Sequence, residues 1–481
     1  IIIPANTLAA GAYSIDNSCR FNDADNAHLV RTPGASGTEE KYTLSFWFKR
    51  GSNIGTQTIM FSALPAGTHD FQISLFGDNC MDFSVYNAGS GGTDYPGKLR
   101  TNRKFRDVGA WYHVVAVWDT GNATAGNRMR IYINGVEETS FSTDTQPAED
   151  EDDSVWNETS AQYIGVYGNG TYGDFDGYLA EIVFCDGQAL TPSSFGEFDE
   201  DSPTIWKPKD PSGVTFGTQG FWIDFEDSSD LGKDVSGNGN DYTSANLAAA
   251  DQATDTPTNS FCTMNPLDNE FVDATFSEGN NQVVIASGIN AYATATMGVS
   301  AGKWYWEVEL GASDGNDQGY GIVDRVATSA TDVYAVGYPA NYVYQTQGRF
   351  VESETTNTDS APDTYTSGDV MSFALDLDND KIYYAKNGTW QDSGDPTSGA
   401  TGTGAQDIKG TADADTSGFY FPSCSSSTTS RGSTWQFNFG GCSAFTVSSA
   451  NQDANGYGNF EYAVPSGYLA LCTKNLGSDG G

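Results

Sequence analysis

The three histidines His28, His69 and His113 are the candidate catalytic bases of this sequence. A Ser-His-Asp triad would have to use one of them, but no Gly-x-Ser-x-Gly elbow precedes a helical pattern. His113 lies among large apolar residues in the segment WYHVV, which predicts a structural role for its ring. The sequence therefore argues against hydrolysis by an activated nucleophile.

Paired carboxylates are a second possible source of chemistry, because glycosidases need two carboxyl groups about 5 to 9 Å apart. The nearest pattern is Glu197-Phe198-Asp199-Glu200, in which alternate acidic side chains would share one face of an extended segment. The pattern stands directly before a Pro-rich stretch, which favours a solvated loop. We assign no catalytic residue and predict that the protein is not an enzyme.

Aromatic side chains in turn-rich segments are candidates for sugar binding, because the faces of sugar rings stack on them. Five such residues are predicted to bind ligand, with ordinary edge packing as the alternative: Trp156, Tyr167, Tyr172, Tyr342 and Tyr344. Four other tryptophans lie in alternating segments and are expected in the cores: Trp47, Trp304, Trp306 and Trp435.

The seven cysteines are scattered and never form a CxxC pair, which argues against a zinc site or a disulfide framework. Buried free thiols are the favoured interpretation. Cys424 and Cys442 flank two predicted strands and are the one pair that could form a disulfide in an oxidising setting.

The overall charge excludes several classes of partner. The chain of 481 residues has 23 Lys and Arg against 63 Asp and Glu, a net charge of −40. It therefore lacks the basic surface that binds nucleic acid or an anionic membrane. No apolar stretch approaches the roughly 18 residues of a membrane span, so no membrane insertion is expected.

Short strands are the elements that must position these residues. Apolar and polar residues alternate with a period of two in many segments, among them 42–50, 111–119, 177–188 and 302–310. Asn134-Gly135 is a strong hairpin signal. The predicted fold class is all-β, with antiparallel strands in two β-sandwiches joined by a partly ordered connector.

The chain length predicts about two to four domains. The alternating pattern stops near residue 200 and returns near residue 266, which predicts sandwiches over 1–200 and 266–481. Residues 201–265 are rich in Pro and Gly but also in aromatic residues. They are predicted to form a connector packed between the domains, because so many aromatic residues do not suit a free tether.

Two resemblances support this division. GKWYWEVEL, GDVMSFALDLDNDKIYYAKNG, FYFPSCS and WQFNFGG resemble successive strand motifs of the SPRY domain family. WYHVVAVWD, RIYINGVEE and DGYLAEIVFCDGQALTPSSF resemble the laminin-G and pentraxin branch of the concanavalin-like sandwiches. Both families are jelly rolls that act mainly as binding modules, with specificity in loops at one edge.

The pentraxin resemblance implies a calcium site. Its ligands would be Asp70 at the start of the DFQISLF strand, together with Asn169 and Asp174 in the loop before DGYLAEI. The consecutive acidic and amide ligands of that family are missing from this loop. No other cofactor is expected.

The opening SIDNSCRFNDADNAHLVRTP and the segment LGKDVSGNGNDYT, taken with the two domains, resemble virion structural proteins of marine tailed bacteriophages. That resemblance implies a virion surface protein, in capsid decoration or a tail fibre, that contacts other virion proteins and host-surface glycan as a homo-oligomer. Because the chain is so acidic, binding to anionic glycan is expected to depend on divalent ions. A secreted bacterial adhesin or polysaccharide-binding module is the alternative.

Overall fold

The structure is a computed structural model that divides the chain into two units. The N-terminal unit ends at Thr258 and the C-terminal unit begins at Asn259. The described residues are 13–52, 54–64, 69–87, 94–152, 155–168, 173–268, 274–286, 291–313, 318–324, 341–352, 355–356, 361–414, 416–426 and 432–479.

The N-terminal unit consists of short strands. They are β1 (Ser18–Phe21), β2 (His28–Arg31), β3 (Lys41–Arg50), β4 (Gln57–Leu64), β5 (His69–Phe76), β6 (Cys80–Asn87), β7 (Asp94–Lys104), β8 (Tyr112–Asp119), β9 (Met129–Ile133), β10 (Val136–Glu137), β11 (Phe141–Thr145), β12 (Ala161–Ile164), β13 (Gly177–Asp186), β14 (Gly196–Phe198), β15 (Trp206–Pro208), β16 (Phe221–Ile223), β17 (Thr243–Ala245) and β18 (Gln252–Ala253).

These strands form two main antiparallel sheets. The first sheet has the order β10-β9-β8-β3-β13-β1-β18, and β16 also pairs with β13. The second sheet has the order β11-β7-β6-β5-β4-β12-β2-β17, and β14 pairs with β15 in a separate ribbon. Alternate residues of each sheet enter a common core, where Phe46 contacts Phe61 and Tyr42 stacks on Trp118. This is the predicted β-sandwich.

The predicted connector is part of the N-terminal unit. β16 pairs with β13, β17 with β2 and β18 with β1, so residues 221–253 add strands to both sheets. The predicted boundary at residue 200 therefore lies inside this unit, whose last residue is Thr258. Aromatic residues explain why the unit extends beyond residue 200: Phe221 is fully buried against Phe184 and Tyr242 in the sandwich core.

The described residues of the C-terminal unit form a second, mainly antiparallel assembly with one short α-helix. Its elements are β19 (Thr275–Ser277), β20 (Gln282–Ile285), β21 (Ala291–Thr294), β22 (Lys303–Ser313), β23 (Gln318–Val323), β24 (Asn341–Gln345), β25 (Arg349–Glu352), β26 (Thr355–Thr356), β27 (Val370–Asp376), β28 (Lys381–Lys386), β29 (Thr389–Trp390), β30 (Gln406–Asp407), β31 (Phe421–Ser426), β32 (Ser433–Asn438), β33 (Leu469–Ala470) and α1 (Thr473–Asp479).

Two sheets again enclose the core of this unit. One has the order β19-β20-β32-β22-β27-β28-β29, with β30 on β28 and β33 on β22, and the other has the order β21-β31-β23-β24-β25-β26. Trp306 stacks on Phe373, and Tyr320 meets Trp435 edge-on. The prediction that Trp47, Trp304, Trp306 and Trp435 are core residues is confirmed, since all four are buried.

Two Asn-Gly turns connect strands where the sequence places them. Asn134 and Gly135 have φ angles of 49° and 78° between β9 and β10. Asn387 and Gly388 have φ angles of 47° and 78° between β28 and β29. Positive φ at both central residues is the geometry that favours Asn-Gly in a tight hairpin.

All seven cysteines are free thiols with buried side chains. The disulfide considered for Cys424 and Cys442 is therefore not formed. Burial in an apolar core raises the pKa of the Cys185 thiol to about 12, which makes it a poor nucleophile at neutral pH.

Candidate functional site

A polar groove lies on the outer face of the second sheet, on strands β4 to β7. It has a volume of about 280 Å³. We call it the β4–β7 groove and define it by its lining residues Gln57, Asp70, Gln72, Phe76, Asp82, Ser84, Tyr86, Tyr95, Lys98 and Tyr167.

The pairing register brings these side chains together. Gln72 on β5 lies opposite Ser84 on β6, which in turn lies opposite Lys98 on β7. Asp70 lies opposite Tyr86 in the same way. Successive side chains of a strand point to opposite faces, so the residues between these positions enter the core and leave one polar outer face.

Hydrogen bonds link the polar side chains along one side of the groove. Gln57 Nε2 donates to Gln72 Oε1 at 2.8 Å, and Gln72 Nε2 donates to Asp70 Oδ2 at 3.0 Å. The Tyr167 hydroxyl donates to the same Asp70 oxygen at 2.8 Å. These bonds hold two amides and a carboxylate in fixed orientations, which is what recognition of a hydroxyl-rich ligand requires.

Charged side chains occupy the other side. Lys98 Nζ lies 3.1 Å from Asp82 Oδ2, and Arg100 Nη1 lies 2.9 Å from Asp82 Oδ1. Arg100 also pairs with Asp78 at 3.0 Å. Burial raises the pKa of Asp82, and the two cations oppose that shift. Lys98 and Arg100 are thus neutralised by the neighbouring carboxylates of Asp82 and Asp78.

Aromatic rings line the groove beside these groups. The Tyr86 and Tyr95 rings are 5.1 Å apart between centroids, and Lys98 Nζ lies 4.3 Å from the Tyr95 centroid. Tyr86, Tyr95 and Tyr167 are half-buried, so part of each ring faces solvent. Rings that combine an apolar face with a polar tip suit ligands that have both kinds of surface.

The five predicted sugar-binding aromatic residues separate in the structure. Tyr167 lies in the groove, and Tyr172 lies outside the described residues. Trp156, Tyr342 and Tyr344 are buried, with at most 3% of their surface exposed, so their predicted exposure is wrong. Trp156 fills the N-terminal core, and the two tyrosines point from β24 into the C-terminal core, because all three are large rings that the sandwiches can enclose.

Two of the three predicted calcium ligands lie in the described residues. Asp70 is in the groove, where Tyr167 and Gln72 already donate to one of its oxygens. Asp174 is half-buried, and burial followed by the negative charge of Asp23 raises its pKa. Asn169 lies outside the described residues, within which no three His, Cys, Asp or Glu side chains group to hold a metal. The calcium site stays a prediction.

His113 has a structural role, as predicted. Trp206 Nε1 donates to His113 Nδ1 at 2.9 Å, and Ser45 Oγ lies 2.8 Å from His113 Nε2. An indole N–H can only donate, so Nδ1 is the acceptor and the neutral ring carries its proton on Nε2. This tautomer donates to Ser45 and cannot take its proton. In this buried pair, His113 therefore cannot act as the base that would activate Ser45 as a nucleophile.

We expect the free energy of unfolding to fall as the pH is lowered, because burial keeps His113 neutral in the folded protein. Burial lowers its pKa from 6.5 to about 3, so between these values the unfolded chain binds a proton that the folded protein does not. The contribution of neutral His113 to the free energy of unfolding is fully present above pH 6.5. It becomes smaller as the pH falls, and at pH 4.5 it is lower by about 2 to 3 kcal/mol.

Chemical denaturation of the wild type and of His113→Gln at pH 7.5 and 4.5 measures this loss. The glutamine amide offers Trp206 an acceptor without titrating, so His113→Gln should lose less stability between the two pH values. Equal losses in the two proteins would contradict the assignment.

Two carboxylates of the acidic segment at 197–200 pair with a lysine of the neighbouring strand. Lys207 on β15 lies 3.4 Å from Glu197 and 3.5 Å from Asp199. Glu197 is exposed, and Asp199 accepts hydrogen bonds from the backbone of Asp201 and Ser202. These contacts explain the acidic residues as a means of holding the β14–β15 ribbon.

Comparison with known proteins identifies a domain in each half of the chain. Residues 24–194 match a laminin-G family model described as the concanavalin A-like lectin/glucanases superfamily, and residues 303–441 match the SPRY domain. The chain contains a concanavalin-like domain and a SPRY domain. The β4–β7 groove lies within the concanavalin-like domain, which indicates a carbohydrate-binding or surface-binding module. None of the curated proteins matches the chain in sequence.

Solved structures resemble parts of the chain at low identity. The SPRY domain of human HERC1 is 16% identical, and the match covers 36% of this chain and 96% of that one, with a TM-score of 0.27. A heptameric SAP-like pentraxin from Limulus polyphemus is 18% identical, with coverages of 37% and 80% and a TM-score of 0.27. Domain 4 of an arabinanase from Geobacillus stearothermophilus, in complex with arabinotriose, is 22% identical, with coverages of 39% and 79% and a TM-score of 0.27.

The described residues contain no helix that is long and apolar enough to cross a membrane. Their one α-helix, α1, has seven residues.

Proposed function

We propose that the concanavalin-like domain binds glycan in the β4–β7 groove without chemical turnover, and that the chain is a surface protein of a tailed-phage virion. The observation that carries the binding proposal is the groove itself. It presents half-buried tyrosine rings beside oriented amides and carboxylates on a rigid sheet. Few precisely placed polar groups beside aromatic surface are the usual composition of a small-ligand site.

The virion proposal rests on the resemblance of the opening segment and of LGKDVSGNGNDYT to phage structural proteins, and on the charge of −40. A strongly acidic surface keeps a protein soluble at high salt, where repulsion between charges is screened within a few ångströms. Many copies on one particle would convert weak glycan binding into firm attachment to a host cell. The SPRY domain is then a candidate for contacts with neighbouring virion proteins.

Removal of a groove ring should weaken glycan binding. Tyr86→Ala and Tyr95→Ala each delete a half-buried ring of the lining. We expect each variant to raise the glycan Kd about ten-fold or more, which corresponds to a loss of about 1.4 kcal/mol in binding free energy. A glycan array followed by titration calorimetry measures this change.

Tyr163→Ala is the matched control. Tyr163 is also half-buried, on β12 of the same sheet, but it packs beside His28 and is not part of the groove lining. Its removal should leave the Kd unchanged. An equal loss in all three variants would contradict the proposed site.

The claim that no bond is cleaved has its own test. Purified protein incubated with each bound glycan and with laminarin, agar and host capsule should release no new reducing ends. Sustained release, abolished by a carboxylate substitution in the groove such as Asp70→Asn, would establish an enzyme instead.

The virion assignment is tested by electron microscopy of assembled particles. Density that accommodates both β-sandwiches on the particle surface would support it. Recovery of the protein from a bacterial surface or culture medium, and never from particles, would favour the secreted adhesin.

Calcium binding is tested by the same glycan titration in the presence of EDTA. If Asp70 and Asp174 hold calcium, EDTA should abolish glycan binding, and Asp174→Asn should reduce it. Binding that EDTA leaves unchanged would reject the calcium site while leaving the groove in place.

A further inference from the structure

We infer that the β4–β7 groove selects uncharged glycans and rejects those with carboxylate or sulfate groups. This inference rests on the proposed glycan binding and names the class of ligand. It differs from the expectation that cations would bridge an acidic protein to anionic glycan.

The first argument is that the cations of this face are already engaged. Lys98 lies 3.1 Å from one oxygen of Asp82, and Arg100 lies 2.9 Å from the other. Arg100 also pairs with Asp78, whose carbonyl oxygen accepts a bond from Lys104 Nζ at 3.1 Å. A carboxylate or sulfate on a ligand would have to compete with these carboxylates, and its approach would bring like charges together.

The second argument is the charge of the lining. It contains one cation, Lys98, and two carboxylates, Asp70 and Asp82, so its formal sum is 1 − 2 = −1. Both carboxylates are nearly inaccessible to solvent, at 6% and 1% exposure, where repulsion is screened less than at the surface. The chain as a whole adds a charge of −40. Local and overall charge therefore both oppose an anionic ligand.

The third argument is that the remaining groups match hydroxyls. Gln57 and Gln72 each provide an amide that donates and accepts, and Tyr86 and Tyr95 provide hydroxyls that do both. A sugar hydroxyl can donate to a carboxylate oxygen and accept from an amide. An anionic group can only accept, so it would meet the carboxylates of Asp70 and Asp82 without a proton to donate to them.

Paired oligosaccharides test the inference. Neutral gluco-, galacto- and manno-oligosaccharides are titrated against the full-length protein beside counterparts of the same linkage that carry sulfate or uronic acid groups. At low salt, we expect the neutral member of a bound pair to bind at least ten-fold more tightly. The ratio should shrink at high salt, because screening weakens the repulsion.

Two carboxylate variants separate the effect of the groove charges on glycan selectivity from the effect of the net charge. Asp82→Asn frees the groove cations and should reduce the neutral-to-anionic ratio several-fold. Asp144→Asn makes the same change in net charge on β11, an exposed position of the same sheet outside the lining, and should leave the ratio unchanged. Circular dichroism and thermal unfolding verify that both variants fold.

The outcomes distinguish the two proposals. Equal or tighter binding of the anionic member by the wild type overturns the inference and leaves glycan binding in place, whatever the variants do. A ratio that Asp144→Asn lowers as much as Asp82→Asn overturns the role of the groove charges. Absence of binding to every oligosaccharide overturns the proposed function and the inference with it.

Discussion

Replacement of Asp255 by leucine is expected to destabilise the N-terminal unit by about 3 to 5 kcal/mol, because it strands a buried charge. Lys49 Nζ and Asp255 Oδ2 lie 2.8 Å apart, and both side chains are 1% exposed. Trp111 Nε1 donates to the other carboxylate oxygen at 3.0 Å. Leucine has a similar volume, so the loss would come from the ammonium group left without its carboxylate rather than from a cavity.

The double variant Lys49→Met, Asp255→Leu should recover most of this loss. A buried ion pair gains little over apolar residues of similar volume, because both charges must leave water. Asp227→Asn is a second control, since it breaks an exposed pair with Lys233 and should leave stability unchanged.

Hydrogen exchange measures the N-terminal unit separately from the rest of the chain. Peptides from β3 and β13 should exchange about 10² to 10⁴ times faster in Asp255→Leu, since every 1.4 kcal/mol is ten-fold. Peptides from β22 in the C-terminal unit serve as the internal reference. If the single and double variants exchange at the same rate, the ion pair is not the cause of the loss.

Trp156→Ala is expected to cost about 3 to 5 kcal/mol, the range for removing a large ring from a core. Trp156 is fully buried, and its ring centroid lies 4.8 Å from Phe71, 6.0 Å from Phe61 and 6.2 Å from Phe184. Both sheets contribute to this contact, so no single neighbour can move to fill the space.

Trp156→Phe provides the matched comparison, because it retains a ring and should cost much less. Denaturation of the full chain measures both losses. Trp156 contacts the core side of the second sheet and the groove lies on the outer side, so Trp156→Phe should retain the glycan affinity of the wild type. A large drop in affinity with little loss of stability would restore Trp156 as a ligand-binding residue.

Strand content and fold class could be predicted from the sequence because alternating segments and short apolar runs between turn formers are both typical of strands. β3 begins with the alternating residues Lys41 to Phe46, β8 contains the apolar run Val114 to Trp118, and the structure pairs the two strands in one sheet. The Asn134-Gly135 turn follows equally from local chemistry, since few residues accept positive φ at two successive positions.

The groove could not be predicted because it depends on which strands are neighbours and in which register. The sequence points to Asp70 and Tyr167 as separate candidates, but their contact joins residues far apart in the chain. The signal for the rest is present in DFQISLF and MDFSVY, where Gln72 and Ser84 occupy positions of the same face as Asp70 and Tyr86. Only the pairing of β5 with β6 places them side by side.

Burial of aromatic rings in turn-rich segments is what sequence reasoning missed. Tyr342 and Tyr344 stand two residues apart on β24, a spacing that puts both on one face of a strand. That period was a sufficient signal for core residues. Trp156 had no such signal, because the segment before β12 enters the core without regular structure.

A crystal structure of the full-length protein with the neutral oligosaccharide that binds most tightly is the most direct test of the central claim. The account predicts sugar density in the β4–β7 groove, stacked on Tyr86 or Tyr95 and hydrogen-bonded to Gln57 or Gln72, with the glycosidic bonds intact. Density bound elsewhere on the protein, with the groove containing only water, would contradict it.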